Sequence, residues 1–285
     1  MFLVKDLKFK YPKNQENTIK GISFEIKEGE IFGLLGPSGV GKSTTQKILI
    51  KLLDDFQGEV KYNGKDLRSL GKDFYHDIGV GFEMPVHFSK LTAQENINFF
   101  KKLYRSSADT DALLKRVGLY EDRDKQVNEY SKGMKARLNF VRAMLNDPKI
   151  LFLDEPTNGL DPKNARIIKD IIREYKEKGG TVLLTTHLMN DVDELCDRVA
   201  FMADGKIAEI DTPKNLKLKH GQRNVEVEYS NDDNEIIKES FELDNLGENA
   251  DFLNIIKTKN ILTIHSKETT LDDIFIKTTG VEKHE

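Results

Sequence analysis

The segment Gly36–Thr44 constrains the fold of this chain more than any other part of its sequence. It reads Gly-Pro-Ser-Gly-Val-Gly-Lys-Ser-Thr and matches the pattern Gly-x-x-x-x-Gly-Lys-[Ser/Thr]. The continuous apolar run Ile31–Leu35 precedes it, and apolar residues at helical spacing follow it. A strand, a glycine-rich turn and a helix in this order direct backbone N–H groups and the positive end of the helix at one point. The segment therefore predicts a phosphate-binding loop inside an α/β fold.

The residues of this loop have distinct expected roles. The glycines let the backbone turn inward around phosphate oxygens, Lys42 reaches the β- and γ-phosphates, and the Ser43 hydroxyl is a ligand for Mg²⁺. ATP and Mg²⁺ are therefore the expected cofactors. The candidates for nucleotide binding are Gly36, Pro37, Ser38, Gly39, Val40, Gly41, Lys42, Ser43 and Thr44.

Two further strand ends carry polar residues. The apolar run Ile150–Leu153 ends in Asp154 and Glu155, and the β-branched run Thr181–Thr186 ends in His187. Ligands of α/β proteins bind where the carboxyl ends of parallel strands meet. Asp154 is then placed to hold Mg²⁺ through water, Glu155 to polarise the attacking water, and His187 to contact the γ-phosphate. Each residue taken alone also fits a structural role, but the upstream loop favours the catalytic interpretation.

A second anion site is suggested by Ser131-Lys132-Gly133, which precedes a predicted helix with Leu138 and Val141 on one face. A serine and a glycine at a helix start offer hydroxyl and backbone N–H groups to an anion. An ordinary helix N-cap has the same composition, so the residues alone leave both interpretations open.

The order of patterns along the chain predicts its organisation. Strands that alternate with helices indicate a mixed, mainly parallel sheet. Residues 1–35 have the alternation of strands, and a mainly helical insertion covers about 84–146. We therefore expect an α/β nucleotide-binding domain over 1–219 with an N-terminal antiparallel β subdomain. A small α+β accessory domain is expected over 221–285.

Composition argues against several classes of function. The net charge of -4 argues weakly against nucleic-acid binding, which usually needs a basic excess. No apolar run reaches the roughly 18–20 residues that cross a bilayer. Cys196 is the single cysteine and has no partner for an internal disulfide, which fits a reducing compartment.

The motifs and their order resemble the ATP-binding subunits of ATP-binding-cassette (ABC) transporters. They run from the phosphate loop through the helical insertion and Ser131-Lys132-Gly133 to Leu153-Asp154-Glu155-Pro156, Gly159-Leu160-Asp161 and the strand-end His187. The resemblance covers about residues 1–219. It implies the fold of a P-loop NTPase and the hydrolysis of ATP.

The resemblance also implies a head-to-tail dimer with two buried ATP molecules. Ser131 and the Gly133 N–H of one copy would touch the γ-phosphate held by the loop of the other. Asp161 would lie in the segment that crosses the dimer. Tyr11 stands where the family has an aromatic ring that stacks on adenine; without the resemblance, a surface tyrosine on a strand would be the favoured interpretation.

The chain departs from the family pattern at two places. Tyr130-Ser131-Lys132-Gly133-Met134 replaces the usual Leu-Ser-Gly-Gly-Gln, so a lysine stands in place of a glycine. Glu83 stands where the family usually has a glutamine near Mg²⁺ and the attacking water. A carboxylate is the better ligand for a hard cation, and we expect Glu83 to bind Mg²⁺ and to link the site to a membrane partner. The alternative is a surface acid.

The leading hypothesis for function is the energy-coupling subunit of a membrane transporter. The segments Phe82–Leu91, Thr92–Phe100 and Leu271–Phe275 resemble the branch that exports drugs and antibiotics. The resemblance implies a separately encoded permease that holds this chain at the cytoplasmic face of the cell membrane. A surface near Glu83–Phe88 and the helical insertion would transmit the motion.

Two other classes of protein are alternatives to a transporter subunit. A soluble cassette ATPase would act on ribosomes or nucleic acid, but such proteins usually carry two cassettes or a long coiled coil. A nucleotide-gated regulator would use residues 221–285 as its effector, with hydrolysis incidental.

Overall fold

The computed structural model describes residues 1–84, 86–104, 106–221, 223–231 and 235–280. Pro85, inside the segment Phe82–Leu91, and residues 281–285 of the expected accessory domain lie outside this set. The described strands are β1 (Phe2–Phe9), β2 (Ile19–Ile26), β3 (Ile31–Leu35), β4 (Gln57–Tyr62), β5 (Lys65–Asp66), β6 (Ile78–Gly81), β7 (Ile150–Asp154), β8 (Thr181–Thr186), β9 (Arg198–Ala203), β10 (Lys206–Asp211), β11 (Arg223–Ser230), β12 (Ile236–Glu242) and β13 (Asn260–Glu268). The described helices are α1 (Lys42–Leu49), α2 (Phe74–Asp77), α3 (Ala93–Tyr104), α4 (Thr110–Arg116), α5 (Lys132–Ala143), α6 (Pro162–Glu177), α7 (Met189–Leu195), α8 (Pro213–His220), α9 (Ala250–Thr258) and α10 (Leu271–Thr279).

The chain divides into two compact units, Met1–Thr212 and a second unit that begins at Pro213. Helix α8 therefore lies in the second unit, where it packs against α10. The sequence analysis assigned residues 213–219 to the nucleotide-binding domain, because the amino-acid composition changes near residue 220 and not at Pro213.

A mixed sheet of six strands forms the centre of the first unit, in the order β10-β9-β3-β8-β7-β6. Strands β9, β3, β8, β7 and β6 are parallel, and β10 alone pairs antiparallel, which confirms the predicted mixed, mainly parallel sheet. Strands β3, β7 and β8 are buried along their whole length, which explains their uninterrupted apolar or β-branched sequences. Leu35 pairs with Thr186, and Asp154 pairs with Thr185. The segments that follow these strands therefore leave the sheet side by side.

An antiparallel sheet, β2-β1-β4-β5, accounts for the predicted N-terminal β subdomain. It shares a hydrophobic core with the central sheet, in which Phe24 stacks on Phe32 with ring centroids 5.4 Å apart. This packing supports the strand that leads into the phosphate-binding loop.

The insertion between β6 and β7 is helical, as predicted. Thr92 and Glu95 form the expected capping box at the start of α3, with Thr92 N donating to Glu95 Oε2 at 2.8 Å and Glu95 N to Thr92 Oγ1 at 3.1 Å. Asp109 caps α4, since its Oδ1 accepts from Ala112 N at 3.0 Å. Helix α5 then packs against β6 of the central sheet.

The second unit contains a three-stranded antiparallel sheet in the order β12-β11-β13. Val225, Val227 and Tyr229 of β11 form a small core with Phe252 and Ile255 of α9. The predicted α+β appendage is thus present among the described residues. Across the described part of the chain, no helix combines the length and apolarity that a bilayer crossing requires.

Candidate functional site

The loop between β3 and α1 depends on glycines at two of its positions. A Cβ at Gly36 would collide with the carbonyl oxygen of Met202. Gly41 has φ +108° and directly precedes α1, and no side chain caps the N–H groups of this helix. The uncapped N–H groups and the positive helix end are the features that bind phosphate.

Lys42 lies against the inner side of this loop and is only 6% exposed. Its Nζ donates to the carbonyl oxygens of Gly36, at 2.6 Å, and Pro37, at 3.0 Å. Burial lowers the pKa of Lys42, and the carboxylates of Glu155, Asp154 and Glu83 act in the opposite direction. The ammonium is thus held by two loop carbonyls and feels the charges of three carboxylates.

Glu155 is held from two sides at the end of β7. Its Oε2 accepts from Thr186 Oγ1 at 2.9 Å, and its Oε1 lies 2.8 Å from Nδ1 of His187. The Glu155 side chain is only 7% exposed and its φ is +50°. The preceding residue, Asp154, accepts from the Thr185 hydroxyl of β8. The two acids and the histidine therefore form one connected group across two strand ends.

A cavity of about 290 Å³ joins the loop to this group. It is lined by Ser38, Gly39, Gly41, Lys42, Ser43, Thr44, Glu83, Glu155, Asn158 and His187. Glu83 thus lines the predicted site two residues after the end of β6, although the residue is exposed. Asp154 lines an adjoining cavity of about 380 Å³, which shares Glu83, Glu155 and Asn158 with the first.

Seven residues predicted for nucleotide binding are not among the described residues that line the 290 Å³ cavity: Tyr11, Gly36, Pro37, Val40, Ser131, Gly133 and Asp161. The Tyr11 hydroxyl lies 3.2 Å from Thr44 Oγ1, so this ring is next to the loop. Ser131 caps α5, because Met134 N donates to its Oγ at 3.2 Å. Asp161 caps α6 in the same way, through Asn164 N at 3.1 Å.

Lys132, the departure from the family signature, lies beside the chain's own Gly159. A Cβ added at Gly159 would be 3.3 Å from Lys132 Nζ. The start of α5 therefore packs against the segment that follows Glu155, and Leu160 lies near Gly133 in the same contact.

Sequence reasoning missed Thr185, Thr186 and Asn158. Both threonines were assigned only to a short β-branched strand, although hydroxyl groups at the end of a strand predicted to lie beside Asp154 and Glu155 were a signal that could have found them. Asn158 lies three residues after Glu155 in a turn closed by a hydrogen bond from its N–H to the Glu155 carbonyl oxygen at 3.1 Å, and no local sequence pattern distinguishes it.

Comparisons with known proteins agree with this geometry. Residues 19–158 match the family described as ABC transporter, and residues 223–268 match the fluoroquinolone efflux ABC transporter C-terminal domain. A fluoroquinolones export ATP-binding protein of Mycobacterium tuberculosis is 50% identical over 97% of this chain and 92% of its own length. The bacitracin transport ATP-binding protein of Bacillus licheniformis is 29% identical, over 93% of both chains. A dimeric bacterial ABC transporter cassette has a TM-score of 0.68 at 29% identity and covers 74% of this chain and 98% of its own.

Proposed function

Because this chain belongs to the ATP-binding subunits of ABC transporters, we propose that it hydrolyses ATP to drive a membrane permease that exports drugs or antibiotics. The observation that carries the ATPase assignment is the single cavity lined by the loop, Glu155 and His187. The export assignment is supported by the fluoroquinolone relative and by the match of residues 223–268.

The chain's own residues supply the main parts of the reaction. The loop amides and Lys42 bind the β- and γ-phosphates, and the buried ammonium stabilises charge that develops during transfer. Glu155 takes the proton of the attacking water. Hydrogen bonds to both oxygens keep the carboxylate in one position, so little conformational freedom has to be lost to reach the transition state. His187 donates from Nδ1 to Glu155 Oε1, which orients this carboxylate, and its ring lines the cavity where the γ-phosphate would lie.

Ser43, Asp154 and Glu83 are the groups that we assign to Mg²⁺. All three present oxygen atoms, which hard cations prefer, and Ser43 and Glu83 line the same cavity. The donor set therefore fits this ion. Bound Mg²⁺ would supply positive charge that stabilises the phosphate groups during transfer. Glu83 keeps a ligand oxygen where the family usually has an amide and adds a negative charge.

A second copy would complete the site, as a head-to-tail dimer. Ser131 and Gly133 stand at the start of α5 and do not line their own chain's cavity within the described residues, which supports a role toward a neighbouring copy. Asp161 would cross the same interface, and the Tyr11 ring next to Thr44 would stack on adenine. Dimeric solved relatives support this assembly.

If a second copy completes the site, the ATPase rate per mole of chain should depend on the protein concentration. We expect the rate per mole of chain to fall on dilution below the dimer dissociation constant, because a monomer holds ATP without Ser131 and Gly133 of a partner. Initial rates over a range of protein concentrations measure this. Activity strictly first order in protein at all dilutions would contradict a trans site.

Mixing two inactive variants gives the matched control for that prediction. Lys42→Ala damages the loop and Ser131→Arg damages the signature, so each alone should be inactive. A mixed dimer contains one site with an intact loop and an intact signature, and activity should return. No recovery, with both variants folded by circular dichroism, would argue that each chain builds its site alone.

Exposed apolar side chains offer a surface for the permease. Met84 and Val86 are 83% and 82% exposed, and Phe88, Phe99 and Leu103 are also exposed. Phe88 and Phe99 are in ring contact, with centroids 5.0 Å apart. Exposed apolar groups that cluster in this way mark interaction sites. Docking here would hold the chain at the cytoplasmic face of the membrane, next to Glu83.

Cellular drug accumulation tests the export assignment. In host cells, replacing the gene by Glu155→Gln should raise intracellular fluoroquinolone to the level of cells that lack the gene, because the permease loses its energy source. Drug fluorescence in washed cells measures this. Glu177→Gln, an exposed acid on α6, is the control and should accumulate no more drug than the wild type. Unchanged accumulation with Glu155→Gln would exclude fluoroquinolones as cargo and leave the ATPase assignment standing.

A further inference from the structure

A buried amide of α5 is hydrogen-bonded to the segment that carries Glu83. Asn139 is 5% exposed, and its Nδ2 donates to the carbonyl oxygen of Phe82 at 2.8 Å. Its Oδ1 accepts from Nη2 of Arg142 at 2.7 Å. Both ends of the amide are therefore engaged, which fixes its orientation.

Two more hydrogen bonds join α5 to the same segment. Arg142 Nη1 donates to the carbonyl oxygen of Val86 at 2.7 Å, and His87 Nε2 lies 3.1 Å from the carbonyl oxygen of Lys135. Burial lowers the pKa of His87 to about 4, and the positive charges of Arg142 and Lys135 add to this effect. The ring is thus neutral at pH 7. The segment is anchored at Phe82, Val86 and His87, and the exposed Met84 lies between these anchors.

The anchor at Phe82 acts directly on Glu83. The carbonyl group of Phe82 and the N–H of Glu83 belong to one planar peptide unit. A hydrogen bond that fixes this plane restricts the direction in which the Glu83 side chain leaves the backbone. In this structure that direction leads into the cavity with Lys42 and Ser43.

We propose that Asn139 is a positioning residue of the ATP site, which holds the carboxylate of Glu83 at the divalent cation by fixing the Phe82 carbonyl. This inference rests on the proposed role of Glu83 in cation binding. Asn139 lines the 380 Å³ cavity together with Asp154 and Glu83, but both ends of its amide are engaged by Phe82 and Arg142, so it acts through the peptide between residues 82 and 83. Arg142 supports it by holding the amide in the orientation that donates to Phe82.

Asn139→Asp is the informative substitution. Aspartate has nearly the same shape and keeps an acceptor for Arg142, but a carboxylate has no hydrogen to donate to the Phe82 carbonyl. The added negative charge by itself would attract a cation more strongly. Weaker cation binding in this variant would therefore come from lost positioning and not from charge.

The experiment measures Mn²⁺ binding to the full chain with a non-hydrolysable ATP analogue, by electron paramagnetic resonance of free Mn²⁺. We expect Glu83→Ala and Asn139→Asp each to weaken Mn²⁺ binding by about tenfold, comparable to one charge-assisted contact. The affinity for the analogue without Mn²⁺ and the midpoint of thermal unfolding are measured as well. If both match the wild type, a loss of Mn²⁺ affinity reflects the cation site alone. Asn254→Asp adds the same charge at an exposed position of α9 and should bind Mn²⁺ like the wild type.

The double variant separates positioning from general stability. In the Glu83→Ala background, Asn139→Asp should weaken Mn²⁺ binding no further, because the group it positions is gone. Additive losses would overturn the proposal. If Asn139→Asp does not fold, Asn139→Ala takes its place in the same cycle.

The two possible failures are distinguishable. Unchanged Mn²⁺ binding in Glu83→Ala would remove Glu83 from the cation site and the positioning role with it. A loss in Glu83→Ala together with wild-type binding in Asn139→Asp would keep the cation role of Glu83 and overturn the role of Asn139 alone.

Discussion

Glu155→Gln is expected to lower the ATPase rate by about 10³-fold while ATP still binds. Glutamine keeps the size of the side chain and hydrogen-bonding groups for Thr186 and His187, but it cannot take a proton from water. General-base catalysis contributes roughly 10²–10⁴-fold, which sets the expected loss. Because Lys42 and the loop remain intact, nucleotide affinity should stay near that of the wild type. Phosphate release assays and equilibrium binding of labelled ATP measure the two quantities.

The same variant should accumulate as an ATP-bound dimer. If hydrolysis reopens the dimer, its loss leaves the closed form, which size-exclusion chromatography with and without ATP and Mg²⁺ detects. Glu177→Gln serves again as the control and should hydrolyse ATP normally. Rapid turnover by Glu155→Gln would remove Glu155 as the base. A monomer at saturating ATP would count against the closing step and leave the base assignment intact.

Lys42→Ala is expected to weaken ATP binding by about 10- to 100-fold and to lower turnover further. A hydrogen bond to a charged group contributes about 1.5–3 kcal/mol, which corresponds to this range. In the structure this ammonium is bound to the carbonyl oxygens of Gly36 and Pro37, so its removal also leaves two loop acceptors without a donor. Nucleotide titration and steady-state kinetics measure the losses.

Two further variants show whether the loss comes from the Lys42 charge. Lys47→Ala removes a lysine from the same helix, outside the cavity, and should retain wild-type kinetics. Lys42→Met keeps most of the side-chain volume, so a comparable defect in both Lys42 variants assigns the effect to the ammonium. Wild-type turnover in Lys42→Ala would contradict the assignment of the loop.

Several elements could be predicted because their signals are local. The capping box of Thr92 and Glu95 spans four residues, and the loop glycines are required by backbone angles and close packing at their own positions. The strands before Gly36, Asp154 and His187 were evident as apolar or β-branched runs. Parallel pairing then brings their ends together, so the sequence predicted which strand ends share the cavity.

Contacts between distant segments had no such signal. Thr186 and Glu155 are 31 residues apart, and Asn139 and Phe82 are 57 residues apart. Asn139 has the spacing of an ordinary residue on a helix, and only the packing of α5 against β6 turns its amide toward Phe82. The unit boundary at Pro213 likewise depends on the contact between α8 and α10, which cannot be predicted from amino-acid composition.

The sequence by itself determined the glycine-rich loop between a strand and a helix, the acids at the strand ends and the membership of an ATPase family, because glycine geometry, strand periodicity and short motifs act within a few residues. Only the tertiary structure decided that Thr186 and His187 hydrogen-bond Glu155 and that α5 anchors the segment of Glu83, a residue that the family resemblance had already placed near the cation. Such contacts follow from how helices and strands pack in space, and packing joins residues without regard to their separation along the chain. The loop Gly36–Thr44 could therefore be predicted from its own nine residues, whereas the hydrogen bonds that orient the acids around it could not.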